Sequence, residues 1–102
     1  MTIEELTKLL QEQEGNDILL ELQGIVTTTI HIAQMKISHE KNFLFLENKE
    51  NNKQRVGFNL NQLMRIHKIE KNKILLEFDQ LQNAMITIKK AITSFDFTYI
   101  RR

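Results

Sequence analysis

Few residues in this sequence combine a reactive side chain with the spacing that catalysis requires. The chain of 102 residues contains no cysteine, and its serines, Ser38 and Ser94, lack the glycine-flanked context of a nucleophile elbow. The histidines, His31, His39 and His67, are scattered and match no metal-binding spacing such as HExxH. We therefore expect a chain that is not an enzyme and that has no catalytic, cofactor or metal site.

Carboxylates and glycines do not change this expectation. Acidic residues in the central part of the chain could be paired for acid–base chemistry, yet surface strands ordinarily carry such side chains for solubility. These residues are Glu47, Glu70, Glu77 and Asp79. The three glycines are too far apart to form a phosphate-binding loop. Binding, rather than catalysis, is the class of function that the sequence favours.

A basic cluster is the first feature that could serve binding. Arg65, Lys68, Lys71 and Lys73 fall within one predicted hairpin, in which Glu70 is the only acidic residue. Such a patch can neutralise phosphates, which makes a nucleic-acid-binding module one candidate function. The alternative is a set of solvated basic side chains. It is favoured by the phenylalanines, most of which occupy predicted core positions and are not free to stack on bases.

The elements that must position these side chains are short strands, most clearly between Phe43 and Lys89. The four consecutive apolar residues of 43–46 predict a core strand that is covered on both faces. A turn at 59–62 leads into a less regular strand at 63–70, and Lys71-Asn72 fits a tight hairpin. Period-two alternation predicts further strands at 55–60, 73–78 and 84–89.

The N-terminal residues predict an amphipathic helix over 1–15. Thr2 and Glu5 match a capping box, apolar residues follow at helical spacing, and Gly15 is a stop signal. A helix this short must bury its apolar stripe on something, which is either the domain's own sheet or a partner, including a second copy. The stripe consists of Ile3, Leu6 and Leu10.

The segment after the helix predicts two strands separated at Gly24. The first is apolar and runs over 17–23, and the second is longer and begins at Val26. The apolar phase of the second strand slips at 33–34, which predicts a β-bulge in a bent strand shared between two halves of a sheet. A polar hairpin loop at 38–42 then leads into the central strands.

The edges of such a sheet are the second feature that could serve binding. An open sheet leaves backbone donors and acceptors unpaired unless it closes, is covered or pairs with another chain. Thr27, Thr28, Thr29 and His31 give the second strand a polar face without formal charge, which suits either a docked protein or solvent. Thr27, Thr29 and His31 therefore join the helix stripe as candidate partner-binding residues.

The C-terminal residues predict an edge strand over 91–102. Phe95, Phe97 and Tyr99 occupy every second position of this segment. Three aromatic rings on one strand face either close the core or form an exposed recognition surface.

The predicted fold class is α+β and mostly β. Apolar residues make up 41% and charged residues 26%, values typical of a globular domain. We predict a single domain over 1–102, with the helix at 1–15 and antiparallel strands over 17–100. The helix packs on a strongly curved antiparallel sheet, or a partly open small barrel, of about six to eight strands.

The sequence also predicts a cytoplasmic chain that does not enter a membrane. It has no cysteine for disulfides, no apolar run of membrane-spanning length, and an acidic N-terminal segment where a secretory signal would be basic. The net charge is +1, but residues 1–21 are acidic and the remainder is basic. This asymmetry permits an acidic partner for the body of the chain, or an acidic helix lying over a basic sheet of its own or a neighbouring subunit, and it equally suits solvated faces that happen to differ.

The order of elements resembles that of Sm-like RNA-binding proteins, in which a short helix precedes curved antiparallel strands and the second strand is long and bent. No family motif matches residue by residue, so the resemblance implies a small-barrel analogy and nothing about individual residues.

The leading hypothesis is a small non-enzymatic protein-interaction module, with a homodimer as one form of it, that uses a sheet edge or the helix face. A nucleic-acid-binding module is the alternative, and a small inhibitor of a host machine encoded by a mobile element is a further one.

Overall fold

The computed structural model describes residues 1–50, 54–79 and 82–89. Within them the chain forms one α-helix and eight strands, so the predicted class, mostly β with a short N-terminal helix, is confirmed. A 3-10 turn, Leu60–Gln62, joins the fifth and sixth strands. The elements are α1 (Ile3–Glu12), β1 (Asp17–Gln23), β2 (Thr27–Ile32), β3 (Met35–Glu40), β4 (Phe43–Asn48), β5 (Arg55–Asn59), β6 (Leu63–Glu70), β7 (Lys73–Phe78) and β8 (Gln82–Lys89).

The strands form two antiparallel sheets, where the sequence predicts one curved sheet. The first contains five strands in the order β2-β1-β8-β7-β6, and the second contains three in the order β3-β4-β5. Neither sheet closes into a barrel within the described residues. The chain leaves the first sheet at Ala33-Gln34, where Gln34 adopts a positive φ of 48°. The predicted bulge is therefore a corner between two sheets.

One hydrophobic core joins both sheets and α1. The five-stranded sheet contributes alternating residues of β1, β7 and β8, as their period-two patterns predict. The three-stranded sheet contributes Leu44, Leu46 and Phe58. Buried residues of the larger sheet include Ile18, Leu20, Ile74, Leu76, Ala84 and Ile86.

The prediction that both faces of β4 are covered is wrong. Phe43 is 40% exposed, and Phe45 lies on the face opposite the buried Leu44 and Leu46. The reason is that, among the described residues, only side chains of the same three-stranded sheet, such as Arg55 over the Phe45 ring, cover part of this outer face. Phe45 instead packs over Gly57, its cross-strand partner, where an added Cβ would lie 2.5 Å from the Phe45 ring.

The capping box of α1 is confirmed. The Thr2 side chain accepts a hydrogen bond from the Glu5 backbone N–H, and the Thr2 backbone N–H donates to the Glu5 carboxylate. The hydrogen bond from the Thr2 backbone lowers the pKa of the Glu5 carboxyl. The capping contribution of the ionised carboxylate is therefore present near neutral pH and is lost as the pH falls through that lowered pKa.

The local turns also match the sequence. β1 pairs with β2, β3 with β4, and β6 with β7, each as an antiparallel hairpin. The turn predicted at 59–62 is the 3-10 turn, and Gly15 has a φ of +95°, as a helix stop signal requires. The strand predicted at 91–102 lies outside the described residues.

Truncating the helix stripe tests the packing of α1. Leu10 is fully buried and Ile3 is 38% exposed on the same helix. We expect Leu10→Ala to lower the free energy of unfolding by about 2 to 5 kcal/mol because it opens a cavity in the core. Ile3→Ala serves as the control and should cost less than about 1 kcal/mol. Urea unfolding measures both values, and equal losses would contradict the packing.

Candidate functional site

The described strands leave four sheet edges, which belong to β2, β6, β3 and β5. A free edge strand is a template for another strand, and proteins usually guard such edges with charge, bulges, short length or a covering segment. The four edges of this protein differ in whether they carry such a guard. The comparison among them locates the candidate site.

The edge of β3 is covered by the residues that follow α1. The Gly15 N–H donates to the Met35 carbonyl at 2.8 Å, and the Met35 N–H donates to the Asn16 carbonyl at 2.9 Å. Farther along the strand, the Ile37 N–H donates to the Glu14 carboxylate at 2.9 Å. The first half of β3 therefore has its outward groups already paired.

The edge of β6 is guarded by bulges and charge. Its pairing with β7 shifts register between Leu63 and Arg65 and again between Lys68 and Glu70. Bulges twist an edge strand away from the flat geometry that a new strand needs, and charged side chains add a cost of desolvation. This edge is therefore a poor template.

The edge of β5 is the shortest, at five residues. Arg55 begins it, and its guanidinium Cζ lies 3.6 Å from the centroid of the Phe45 ring. The same side chain contacts Glu40 at 3.1 Å and lies 3.5 Å from the Glu47 carboxylate. Short length and a charged cluster at its start guard this edge.

Among residues 1–50, 54–79 and 82–89, nothing of this kind guards the edge of β2. The strand has the sequence TTTIHI, contains no proline and no residue with a permanent charge, and pairs with β1 in continuous register over six residues. Thr27, Thr28, Thr29 and His31 are all exposed. Threonine and isoleucine also favour extended backbone. Among the described strands, β2 is thus the edge best able to accept another strand.

A contact between an imidazole and a carboxylate lies near the far end of β2. His31 Nε2 lies 3.6 Å from Asp17 Oδ2, while Asp17 Oδ1 accepts a hydrogen bond from the Gln34 N–H at 3.0 Å. The Asp17 carboxylate therefore connects the end of β2 to the corner that follows it. This contact places the imidazole on the outer face, beside Thr29.

The hairpin tip between β1 and β2 is apolar and exposed, a feature that the sequence interpretation missed. Ile25 is 105% exposed and Val26 is 71% exposed, the two highest values among the large hydrophobic residues described. A turn ordinarily carries Gly, Asn, Asp, Ser or Pro. The signal available in the sequence was the pair Ile25-Val26 directly after Gly24, where polar turn residues are expected.

A groove opens beside this tip, with a volume of about 540 Å³. Phe58 and Phe78 stack in its lining with ring centroids 5.7 Å apart. Val26 and Thr28 also line it, so the groove adjoins the free edge. None of the described residues that line it is charged, and several carry side-chain amides. The groove therefore suits neutral, largely apolar groups.

The structure separates the candidate partner-binding residues. Thr27, Thr29 and His31 lie together on the outer face of β2 and are exposed. The helix residues Leu6 and Leu10 are fully buried in the protein's own core, so they are unavailable to a partner while the fold is intact. Ile3 remains partly exposed but stands away from that cluster in sequence and on a different element.

The structure also divides the basic cluster. Arg65 and Lys73 lie directly opposite Glu77 and Glu70 on the neighbouring strand. Lys68 lies on the other face of β6, opposite the buried Ile74, because side chains alternate along a strand.

Two further residues with basic side chains lie in the same hairpin. Lys71 occupies the turn between β6 and β7. His67 Nε2 lies 3.2 Å from the Glu77 carboxylate, which also faces Arg65. The four basic side chains therefore do not form one continuous patch.

The remaining reactive residues stay apart. Ser38 lies in β3 opposite Phe45, and His39 follows it at an exposed position. Across 1–50, 54–79 and 82–89, no group of three or more histidine or acidic side chains is close enough to hold a metal ion. Within the same ranges, no helix has the length and apolar character to cross a membrane. Ser94 lies outside them.

Comparison of the chain with known protein families, with curated proteins and with solved structures finds no match in any of the three.

Substitution of basic residues tests the nucleic-acid alternative. We expect single-stranded oligonucleotides to bind weakly at physiological salt, because Arg65 and Lys73 face carboxylates. We further expect the double variant Lys68→Glu, Lys71→Glu to change that affinity by less than about threefold. Fluorescence anisotropy at low and physiological salt measures this. Strong, steeply salt-dependent binding that the double variant abolishes would contradict the expectation.

Proposed function

We propose that this chain is a small non-enzymatic protein-interaction module that accepts an extended segment of a protein partner along the free edge of β2. The observation that carries the proposal is the contrast among the sheet edges. β3 is covered, β6 is bulged and charged, β5 is short, and β2 is regular and uncharged.

Backbone hydrogen bonds would supply part of the binding free energy. Alternate residues of an edge strand direct their N–H and C=O groups outwards, so roughly half of the six residues of β2 can bond to an added strand. Each such bond contributes about 0.5 to 1.5 kcal/mol net, and ordering the partner segment offsets part of the total. Side-chain contacts must therefore add to the affinity and set the specificity.

The surroundings of β2 define the chemistry of that partner. On the core-facing side of the strand, Thr28 adjoins the uncharged groove, so partner side chains next to it should be apolar or aromatic. On the outer face, Thr27, Thr29 and His31 favour side chains that form hydrogen bonds. A partner segment of alternating apolar and polar residues without charge meets both conditions.

Selection from a displayed library of short peptides tests the proposal. The full chain is immobilised at a density low enough that copies do not meet. We expect the recovered peptides to alternate between β-branched or aromatic residues and polar ones. Their affinity should change little between about 50 and 500 mM salt, because the edge carries no permanent charge.

Matched lysine variants locate the binding edge. Thr27→Lys with Thr29→Lys places the usual guard residue on β2, and we expect it to weaken peptide binding by roughly tenfold or more. Met64→Lys with Ile69→Lys adds the same charge to β6, at positions that are 62% and 51% exposed, and should leave binding unchanged. Peptides that bind the two variants equally, or no recovered peptides, would overturn the proposal.

A further inference from the structure

The free edge of β2 is complementary to itself, and we infer that its partner is a second copy of this chain, paired antiparallel through β2 about a two-fold axis at Thr29. This inference rests on the proposed docking edge and names its occupant. The resulting dimer contains one continuous sheet of ten strands, five from each copy.

The outer face of β2 selects the register. β2 spans Thr27–Ile32, and its exposed outer-face residues, Thr27, Thr29 and His31, are centred on Thr29. A two-fold axis perpendicular to the sheet through Thr29 pairs Thr27 to His31, five of the six residues of the strand. It also keeps outer-face residues opposite outer-face residues and core-facing residues opposite core-facing ones, as side-chain alternation requires.

This register joins compatible side chains on both faces. On the outer face, Thr29 meets its own copy and Thr27 lies opposite His31, so hydroxyl and imidazole groups can bond to each other. On the core-facing side, Thr28 lies opposite Ile30. No pair brings like permanent charges together, because β2 contains no residue with a permanent charge.

The same register provides a contact for the apolar hairpin tip. Ile25 and Val26 form the turn before Thr27 and are the two most exposed large hydrophobic residues described. This register brings them alongside the backbone of Ile32 and Ala33 of the second copy, whose Ile32 side chain is buried in its own core. The two-fold axis applies the same contact to both tips. Stable interfaces bury about 1,200 to 2,000 Å² in total, more than one strand pair provides, so the tips add apolar area that the dimer needs.

Single cysteine variants test the register, because the natural chain contains no cysteine. Residues directly opposite in an antiparallel pair have Cα atoms about 4.5 to 5.5 Å apart, within the range that a disulfide spans. Thr29→Cys should therefore form a covalent dimer on mild oxidation, seen as a doubled mass on non-reducing gels. Thr27→Cys alone should not, since its two copies lie about 13 Å apart along the strands. A mixture of Thr27→Cys and His31→Cys chains should crosslink.

Light scattering tests the dimer itself. We expect twice the chain mass of 12.1 kDa at both low and high salt. Thr29→Lys should weaken dimerisation by roughly tenfold or more, because two lysines then face each other on the axis. Met64→Lys is the matched control on the other edge of the sheet and should remain dimeric.

The outcomes separate this inference from the proposed function. A monomer whose β2 edge still binds selected peptides overturns the second copy as partner and leaves the docking edge in place. A monomer that binds no peptide at β2 overturns both. A dimer that Thr29→Cys does not crosslink, or that Thr29→Lys does not weaken, overturns the β2 pairing described here.

Discussion

The placement of the two sheets depends on the change of chain direction at Ala33-Gln34. The Asp17 carboxylate accepts from the Gln34 N–H, and the Asn48 side-chain amide donates to the Ala33 carbonyl at 2.7 Å. The Gln34 carbonyl in turn accepts from the Lys49 N–H at 2.8 Å. The first residue of β1, the last residue of β4 and Lys49 after it thus hold Gln34 in a conformation that a non-glycine side chain adopts at some cost. Because this corner is fixed, β2 and β3 belong to different sheets.

The corner also explains why no second described strand pairs with β2. Had β2 continued straight through 33–34, β3 would have stayed in the same sheet as β2. The turn from β3 to β4 would then have placed another strand next to β2. The chain instead crosses to the three-stranded sheet, and the next strands to return, β6 to β8, pair on the other side of β1. The residues that follow α1 then cover the start of β3. The same event that encloses the core leaves the outer edge of β2 without a described strand beside it.

Local features of the fold could be predicted from the sequence because they depend on neighbouring residues. The capping box at Thr2, the stop at Gly15 and the hairpin at Lys71-Asn72 are each encoded within a few residues, and the structure contains all three. The alternation of β7 and β8 is likewise local, since one buried face determines it.

Long-range pairing could not be predicted in the same way. β8 pairs with β1 across most of the chain, and nothing in either strand's own pattern identifies the other as its neighbour. The slip at 33–34 was visible, but a bulge and a corner both shift the apolar phase by one residue, and only tertiary hydrogen bonds distinguish them. The candidate site could likewise be predicted only in its local features. The uncharged face of Thr27, Thr29 and His31 was apparent, whereas its position on a free edge depends on which strands do not pair with it.

A strand such as β2 is also a liability, and this constrains how the protein can exist in solution. Six residues with high β-propensity, no permanent charge and no proline have the composition of segments that stack into fibrils when their edges are exposed. One lysine would have guarded the edge, as charge and bulges guard β6 in the same sheet. A two-fold pairing uses the edge once in each copy and closes, so no further chain can add. Within the described residues, the same six residues thus leave β2 without a guard and favour the closed pairing proposed above.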